Sequence, residues 1–306
     1  MTNVFIDGSA GTTGLRIADR LAEREDIRLI KLPEELRKSA DARKDAINSA
    51  DIVFLCLPDA AAKESDAMAG DHVRIIDTST AHRTDPAWVY GFPELKGQRE
   101  RIRNSNRIAN PGCHASGFIA LVAPLVEAGI IPKDLRLSCF SLTGYSGGGK
   151  KMIAEYEDPS RNPLLKGPRQ YGLTQQHKHL PEMLKVCGLE NLPVFCPVVG
   201  DFYSGMEVTV PLFASDIKGS LEDIRQLYSS YYASGLVRSL NEADADGLLS
   251  AAAYSGRDDL QVGAFGNEDR IILTARFDNL GKGASGAAIQ NMNVLLGIDE
   301  ATGLCI

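Results

Sequence analysis

Three features of this chain predict an α/β protein. Short apolar strands alternate with helical stretches from Val4 to Asp77, and a glycine-rich turn directly follows the first strand. A second set of strands occupies the later part with no long linker before it. Strand–helix alternation of this kind builds a parallel sheet covered by helices on both faces. The expected architecture is a doubly wound parallel sheet, Rossmann-like in its opening turn, plus an inserted α+β domain. A last helix is expected to return to the first domain.

Composition fits that picture. At 306 residues, 44% hydrophobic and 24% charged, the chain matches an ordinary two-domain soluble protein. Its net charge of −7 and the lack of any Lys/Arg run argue against a nucleic-acid partner. Met1 runs straight into Asn3-Val4-Phe5-Ile6 with no basic leader or cleavage site. No apolar run reaches membrane-spanning length without Pro, Gly or charge. A cytoplasmic protein with no membrane partner is expected. The six cysteines, at 56, 113, 139, 187, 196 and 305, show neither CxxC nor zinc-type spacing, so reduced thiols and no metal are expected.

Taken in order, Val4-Phe5-Ile6 is the first strand, and Asp7-Gly8-Ser9-Ala10-Gly11-Thr12-Thr13-Gly14 follows it. Leu15, Ala18, Leu21 and Ala22 then recur at helical spacing. Strand, glycine turn and helix open a dinucleotide-binding unit in architecture, although the glycines run G-x-x-G-x-x-G instead of the usual G-x-G-x-x-G. A strand at 28–32 precedes a helix opened by Pro33. The strand at 51–57 is apolar through its centre, as one covered on both faces should be. Pro58 breaks it, a helix covers 60–68 and a strand covers 73–77. Ligands of such sheets lie at the carboxyl ends of the strands, the edge formed by 9–14, Leu57–Pro58 and 77–80. No acid closes the second strand. Lys31, Arg37 and Lys38 there favour a 2′-phosphate, while Glu34 and Glu35 oppose it. Residues 78–106 read as irregular and polar.

Pro111 and Gly112 mark a sharp turn. The residues from Cys113 to Gly129 are apolar almost all round, which predicts a buried helix ended by Gly129. Cys113 falls at its first turn, where unpaired N–H groups lower a thiol's pKa toward the thiolate. The alternative is a small buried hydrophobe. A strand at 135–142 empties into Thr143-Gly144-Tyr145-Ser146-Gly147-Gly148-Gly149-Lys150, either an anion-binding run of N–H groups or a flexible loop. No regular element shows in 156–181 before His177-Lys178-His179-Leu180-Pro181-Glu182. Two histidines two apart share one side of an extended segment. With no third ligand in reach, acid–base work is favoured over metal, and a surface loop is the alternative. Strands at 194–199, 206–212 and 270–277 and helices at 220–232 and after Gly286 complete the chain.

A dinucleotide fold, a helix-terminal thiol and a downstream histidine suit one chemistry. The thiolate displaces the leaving group of an acyl substrate to form a thioester, which a nicotinamide hydride then reduces to an aldehyde. Histidine moves the proton, and the helix terminus holds the oxyanion.

The glycine turn, Tyr90-Gly91-Phe92-Pro93-Glu94-Leu95, Asn110-Pro111-Gly112-Cys113, Gly144-Tyr145-Ser146-Gly147, His177 to Glu182, and Lys282-Gly283-Ala284-Ser285-Gly286 span nearly the whole chain. Together they resemble the N-acetyl-γ-glutamyl-phosphate reductase family in its short, second type. The resemblance implies an NADP(H)-dependent reduction of N-acetylglutamyl phosphate to the semialdehyde, with phosphate release, in arginine biosynthesis. It implies Cys113 as nucleophile and His179 as acid–base group, with His177 and Glu182 beside it. It also implies that Arg83, Asn110, Ser146 and Gly147 contact the small acyl-phosphate substrate. Gly8, Ser9, Gly11, Thr12, Thr13, Gly14 and Pro58 would hold the pyrophosphate side of the cofactor, and Asn279, Lys282 and Gly283 its nicotinamide side. The family pattern has Tyr where this chain has His114, and a helix residue next to Cys113 is expected to point away from it.

On this reading 1–112 and 279–306 form the NADP-binding domain, and 113–278 the catalytic and oligomerisation domain of a homo-oligomer, dimer or tetramer. The alternatives are a sister acyl-phosphate reductase, such as aspartate-semialdehyde dehydrogenase, and a non-catalytic nucleotide-binding protein.

Overall fold

The computed structural model describes the backbone of residues 1–306 and every side chain except that of Asp246. The chain divides into two units, Met1–Pro111 with Ala284–Leu304 and Gly112–Gly283 with Cys305–Ile306.

The first unit holds six parallel strands: β1 (Thr2–Asp7), β2 (Ile27–Ile30), β3 (Ile52–Leu55), β4 (Arg74–Asp77), β5 (Val89–Tyr90) and β6 (Arg107–Ala109). Their order is β2-β1-β3-β4-β6-β5. Side chains alternate between faces along a strand. Val4, Ile6, Ile52 and Phe54 accordingly enter one buried cluster, and Phe5, Val53 and Leu55 enter another. That double burial is why β3 reads as a continuous apolar run. The helices are α1 (Thr12–Ala22), α2 (Ala40–Asn48), α3 (Asp59–Met68) and α4 (Gln98–Arg103). Pro33 does not open α2. Residues 34–36 form a single tight turn, and Ser39 caps the helix by accepting from the Ala42 N–H. The supposedly irregular stretch contains β5 and α4, both too short to show a period.

The second unit is a mixed seven-stranded sheet of β7 (Ser138–Gly144), β8 (Arg169–Gln170), β9 (Val194–Gly200), β10 (Met206–Phe213), β11 (Val237–Ser239), β12 (Leu260–Gly266) and β13 (Arg270–Phe277), in the order β11-β12-β13-β10-β7-β9-β8. One face is covered by α5 (Cys113–Glu127) and α8 (Leu221–Tyr231). Every residue of α5 from His114 to Val126 is buried, as its composition requires. Pro124 lies inside it and leaves the Ala120 carbonyl without its helical donor. Tyr232 Oη donates to that carbonyl at 2.7 Å, and Tyr228 Oη donates to the Leu121 carbonyl at 2.6 Å. The glycine run is no open loop: 145–148 form one tight turn and α6 (Gly149–Glu157) follows. A further helix, α7 (Leu180–Cys187), begins just after the histidines and ends at Gly188.

The last helix, α9 (Gly286–Leu296), belongs to the first unit, where Arg24 donates to Asn293 Oδ1 at 2.7 Å. The boundary differs from the expected one. Asn279–Gly283 stays with the second unit, because Asn279 Oδ1 accepts from the Gly205 N–H and its Nδ2 donates to Ser146 Oγ. Gly112 stays there too, its N–H donating to Glu182. Cys305 accepts at its carbonyl from the Asp258 N–H, and its own N–H donates to Asp258 Oδ2. Among the described residues, no helix is long and apolar enough to cross a membrane.

Candidate active site

Cys113 is the first residue of α5, and no side chain caps the helix. Gly112 in front of it is extended (φ −78°, ψ 143°), and its N–H donates to Glu182 Oε2 at 3.1 Å. Glu182 lies buried in the first turn of α7, so this one bond ties the start of the cysteine helix to the helix that follows the histidine pair. The opposite wall is Gly283, where a Cβ would lie 3.0 Å from that of Cys113. A side chain at 283 would press on Cys113, and glycine accommodates the close approach. Cys113 is partly exposed, unlike Cys139 and Cys187, which are buried and whose thiols burial pushes well up.

The histidine segment is irregular but firmly seated. Gln175 (φ 56°) turns its amide toward β9, donating to the Phe195 carbonyl at 2.7 Å and accepting from the Phe195 N–H at 2.8 Å. The side chain thus imitates a strand partner. The His179 N–H donates to His177 Nδ1 at 3.2 Å, so neutral His177 carries its proton on Nε2. The two rings stand 4.7 Å apart, nearly perpendicular, and His179 is buried.

His114 does not stand aside from this group. Its ring lies 5.6 Å from His177 and 5.5 Å from His179, and it is buried. Successive helix residues diverge by only about 100°, and the His114 ring turns into the histidine segment. His114 Nδ1 meets Ser141 Oγ and its Nε2 meets Tyr171 Oη, each at 2.6 Å. Burial, reinforced by His177 and Lys178, pushes its pKa down to about 3. Burial also raises that of Tyr171, helped by the charge of Cys113. The sequence reading missed Ser141, Tyr171 and Gln175. Each is recruited by a partner distant in the chain, and none belongs to a spaced motif.

Ser146 and Gly147 lie in the turn after β7. Ser146 is buried and its Oγ accepts from Asn279 Nδ2, while Asn279 Oδ1 accepts from the Gly205 N–H. Lys282 is buried in the same unit. Among the described residues no group of His, Cys, Asp and Glu is placed to hold a metal ion.

In the first unit, Gly8 has φ +88°, and a Cβ there would fall 2.3 Å from the Cys56 carbonyl oxygen. At Gly14 it would fall 2.6 Å from the Gly8 oxygen. These two glycines let the turn pack on β3 and α1 begin beside it. At Gly11 a Cβ would meet nothing nearer than 3.5 Å, and no side chain caps α1. Ser9, Thr12 and Thr13 stand round this uncapped terminus, and Pro58 caps α3 nearby in sequence after β3. An open glycine turn leading into uncapped N–H groups fits a pyrophosphate. Lys31, Arg37 and Lys38 are exposed after β2. Arg83 donates to the Asn110 and Thr78 carbonyls, both at 3.0 Å. Asn110, expected against substrate, is 1% exposed and its amide serves the protein: Nδ2 donates to the Ala284 carbonyl, and Oδ1 accepts from Asn291.

Two family models match the chain: "Semialdehyde dehydrogenase, NAD binding domain" over residues 30–105 and "Semialdehyde dehydrogenase, dimerisation domain" over 113–279. Solved structures of that class share the fold. Aspartate semialdehyde dehydrogenase II from Vibrio cholerae, complexed with ASA, superposes with a TM-score of 0.73 at 17% identity, covering 97% of this chain and 98% of its own. Aspartate semialdehyde dehydrogenase from Francisella tularensis gives 0.72 at 16%, covering 97% and 100%. Sequence relatives are narrower in kind. The N-acetyl-γ-glutamyl-phosphate reductases of Brucella ovis and Brucella canis are each 47% identical over 96% of this chain and 98% of their own. The chain belongs to the N-acetyl-γ-glutamyl-phosphate reductase family.

Proposed function

We propose that this protein reduces N-acetylglutamyl 5-phosphate to N-acetylglutamate 5-semialdehyde with NADPH, releasing phosphate, in arginine biosynthesis. The observation that carries this reading is Cys113 at the uncapped start of α5, tied through Gly112 and Glu182 to the helix that follows His177 and His179. Relatives of that name at 47% identity supply the substrate.

The Cys113 thiolate, favoured by the helix terminus, attacks the acyl carbon and phosphate departs with the bonding pair, leaving a thioester. NADPH, when bound, supplies the hydride that takes the thioester to the aldehyde oxidation level. N–H groups at the start of α5 stabilise the oxyanion, and collapse releases the Cys113 sulfur as thiolate. His179, with His177 beside it, carries the proton that the sulfur takes up or gives away. Gly8, Ser9, Gly11, Thr12, Thr13, Gly14 and Pro58 would hold the cofactor's pyrophosphate side, and Lys31, Arg37 and Lys38 would meet its 2′-phosphate. Lys282 and Gly283 are assigned to the nicotinamide side, and Arg83, Ser146 and Gly147 to the substrate.

The reverse reaction tests this directly. N-acetylglutamate semialdehyde, phosphate and NADP should give NADPH absorbance with the wild type, and a loss of at least about 10³-fold in Cys113→Ala. Undiminished turnover in that variant would end the thioester mechanism. Turnover of aspartate semialdehyde alone would move the chain to the sister activity, and silence with both substrates would leave a non-catalytic protein.

The protein acts as a homo-oligomer, with the open face of the seven-stranded sheet as its contact. Phe140, Phe213 and Ile272 are 52%, 61% and 41% exposed. Phe140 stands opposite Cys196 and Thr209, and Pro211 opposite Ile272, which sets these side chains on one face. Exposed apolar patches of this kind mark protein interfaces.

A further inference from the structure

Like every helix, α7 begins with backbone donors that need partners. The side chain of its N-cap residue, His179, does not cap it, and Pro181 has no N–H. His177 supplies two acceptors here. Its carbonyl accepts from the Leu180 N–H at 3.0 Å, and its ring Nδ1 accepts from the His179 N–H at 3.2 Å. A side-chain acceptor bonded to the N–H two residues on is what Asn and Asp make in an Asx-turn. A backbone nitrogen can only donate, so the Nδ1 lone pair of His177 is committed to it. Protonating His177 would put a proton on Nδ1, set donor against donor and strand the His179 N–H.

The ring is held from the sides as well. It stands 5.0 Å from Phe195 on β9, 5.6 Å from His114 on α5, 6.1 Å from Tyr171 and 4.7 Å from His179. The titratable groups that face it are thus His114, Tyr171 and His179, with exposed Lys178 next to it in the chain. His114 adds no charge near neutrality, because burial pushes its pKa down to about 3.

We propose that His177 is a positioning residue: as an uncharged acceptor it seats the start of α7, and His179 alone of the pair exchanges the proton. The proposal rests on the reading of Cys113 as nucleophile and His179 as proton carrier. Its reach extends along the helix. Glu182, in the first turn of α7, accepts from the Gly112 N–H in front of Cys113. One bond at Nδ1 therefore seats both the proton carrier and the tie to the cysteine helix.

The test compares His177→Asn with His177→Gln. Asn carries Oδ1 as many bonds from Cβ as His carries Nδ1, so it keeps the acceptor and loses the titrating ring. Gln carries its amide one bond farther out and leaves the His179 N–H unmatched. In the reverse reaction His177→Asn should have a kcat about tenfold above that of His177→Gln at similar KM, since a misplaced proton carrier slows chemistry more than binding. It should also keep the shape of the wild-type pH profile of kcat. His179→Asn should lose about 10²-fold or more. A His177→Asn enzyme no faster than His177→Gln, one that has lost a limb of the profile, or an undiminished His179→Asn overturns the proposal. A thermal midpoint of each variant separates loss of fold from loss of kcat. Hydrogen exchange of peptides covering the start of α7, read by mass spectrometry, needs no substrate. It should be as slow in His177→Asn as in the wild type and faster in His177→Gln; unchanged exchange in His177→Gln overturns the proposal. A wild type silent with both semialdehydes would end the functional reading, and exchange would still decide whether His177 holds the helix start.

Discussion

His114 links the chemistry of the site to the stability of the fold. Its pKa is 6.5 in an unfolded chain and is pushed to about 3 in the native state by burial. Between those values the unfolded chain binds a proton that the folded chain does not. Stability is therefore full above pH 6.5 and falls as the pH drops toward 3, by at most about 1.4 kcal/mol per unit. Denaturant titrations at pH 7 and pH 5 should show a loss of up to about 2 kcal/mol from this residue, and His114→Gln should flatten the difference. An equal loss in the variant would assign the effect to other groups. Cys113 was legible in the sequence because its cue is local: a Pro-Gly turn and then an apolar helix. Tyr171 and Ser141 were not, since each acquires its role from His114, far off in the chain.

At the scale of the element, α5 shows how a proline is kept inside a buried helix. Pro124 removes one N–H, and two tyrosine hydroxyls, from Tyr228 on α8 and Tyr232 just after it, reach the carbonyls of Ala120 and Leu121. Tyr232→Phe should cost about 1–3 kcal/mol, because it strands a buried carbonyl. In a Pro124→Ala background the helix regains the backbone N–H that the Ala120 carbonyl lacks, so the same substitution should cost clearly less. Equal costs in both backgrounds, measured by chemical denaturation, would show that the hydroxyl does not stand in for the missing bond. The histidine segment makes a parallel point. Its order comes from the Gln175 side chain pairing with β9 and from Glu182 reaching Gly112, contacts that no hydrophobic period announces.

At the scale of the whole molecule, the open face of the seven-stranded sheet carries a prediction for the assembly. Phe213→Asp combined with Ile272→Asp should convert the wild-type oligomer to monomer, read by light scattering after size exclusion. A monomeric wild type, or an unchanged oligomer in the double variant, would remove this face from the assembly. These side chains point away from α5 and α8, so the substitutions leave the buried layer intact.

What the sequence determined by itself was whatever depends on neighbours along the chain. The alternation of the first unit, the glycine turn and the buried cysteine helix all follow from short-range period, turn residues and composition. Tertiary structure decided the rest. It gave Asn279 to the second unit, buried Asn110 with its amide bonded to the Ala284 carbonyl, and folded the glycine run into the start of α6. It also drew His114 into the histidine cluster. A polar side chain's task is set by which buried donor or acceptor would otherwise go unsatisfied. That is known only once distant segments have been brought together.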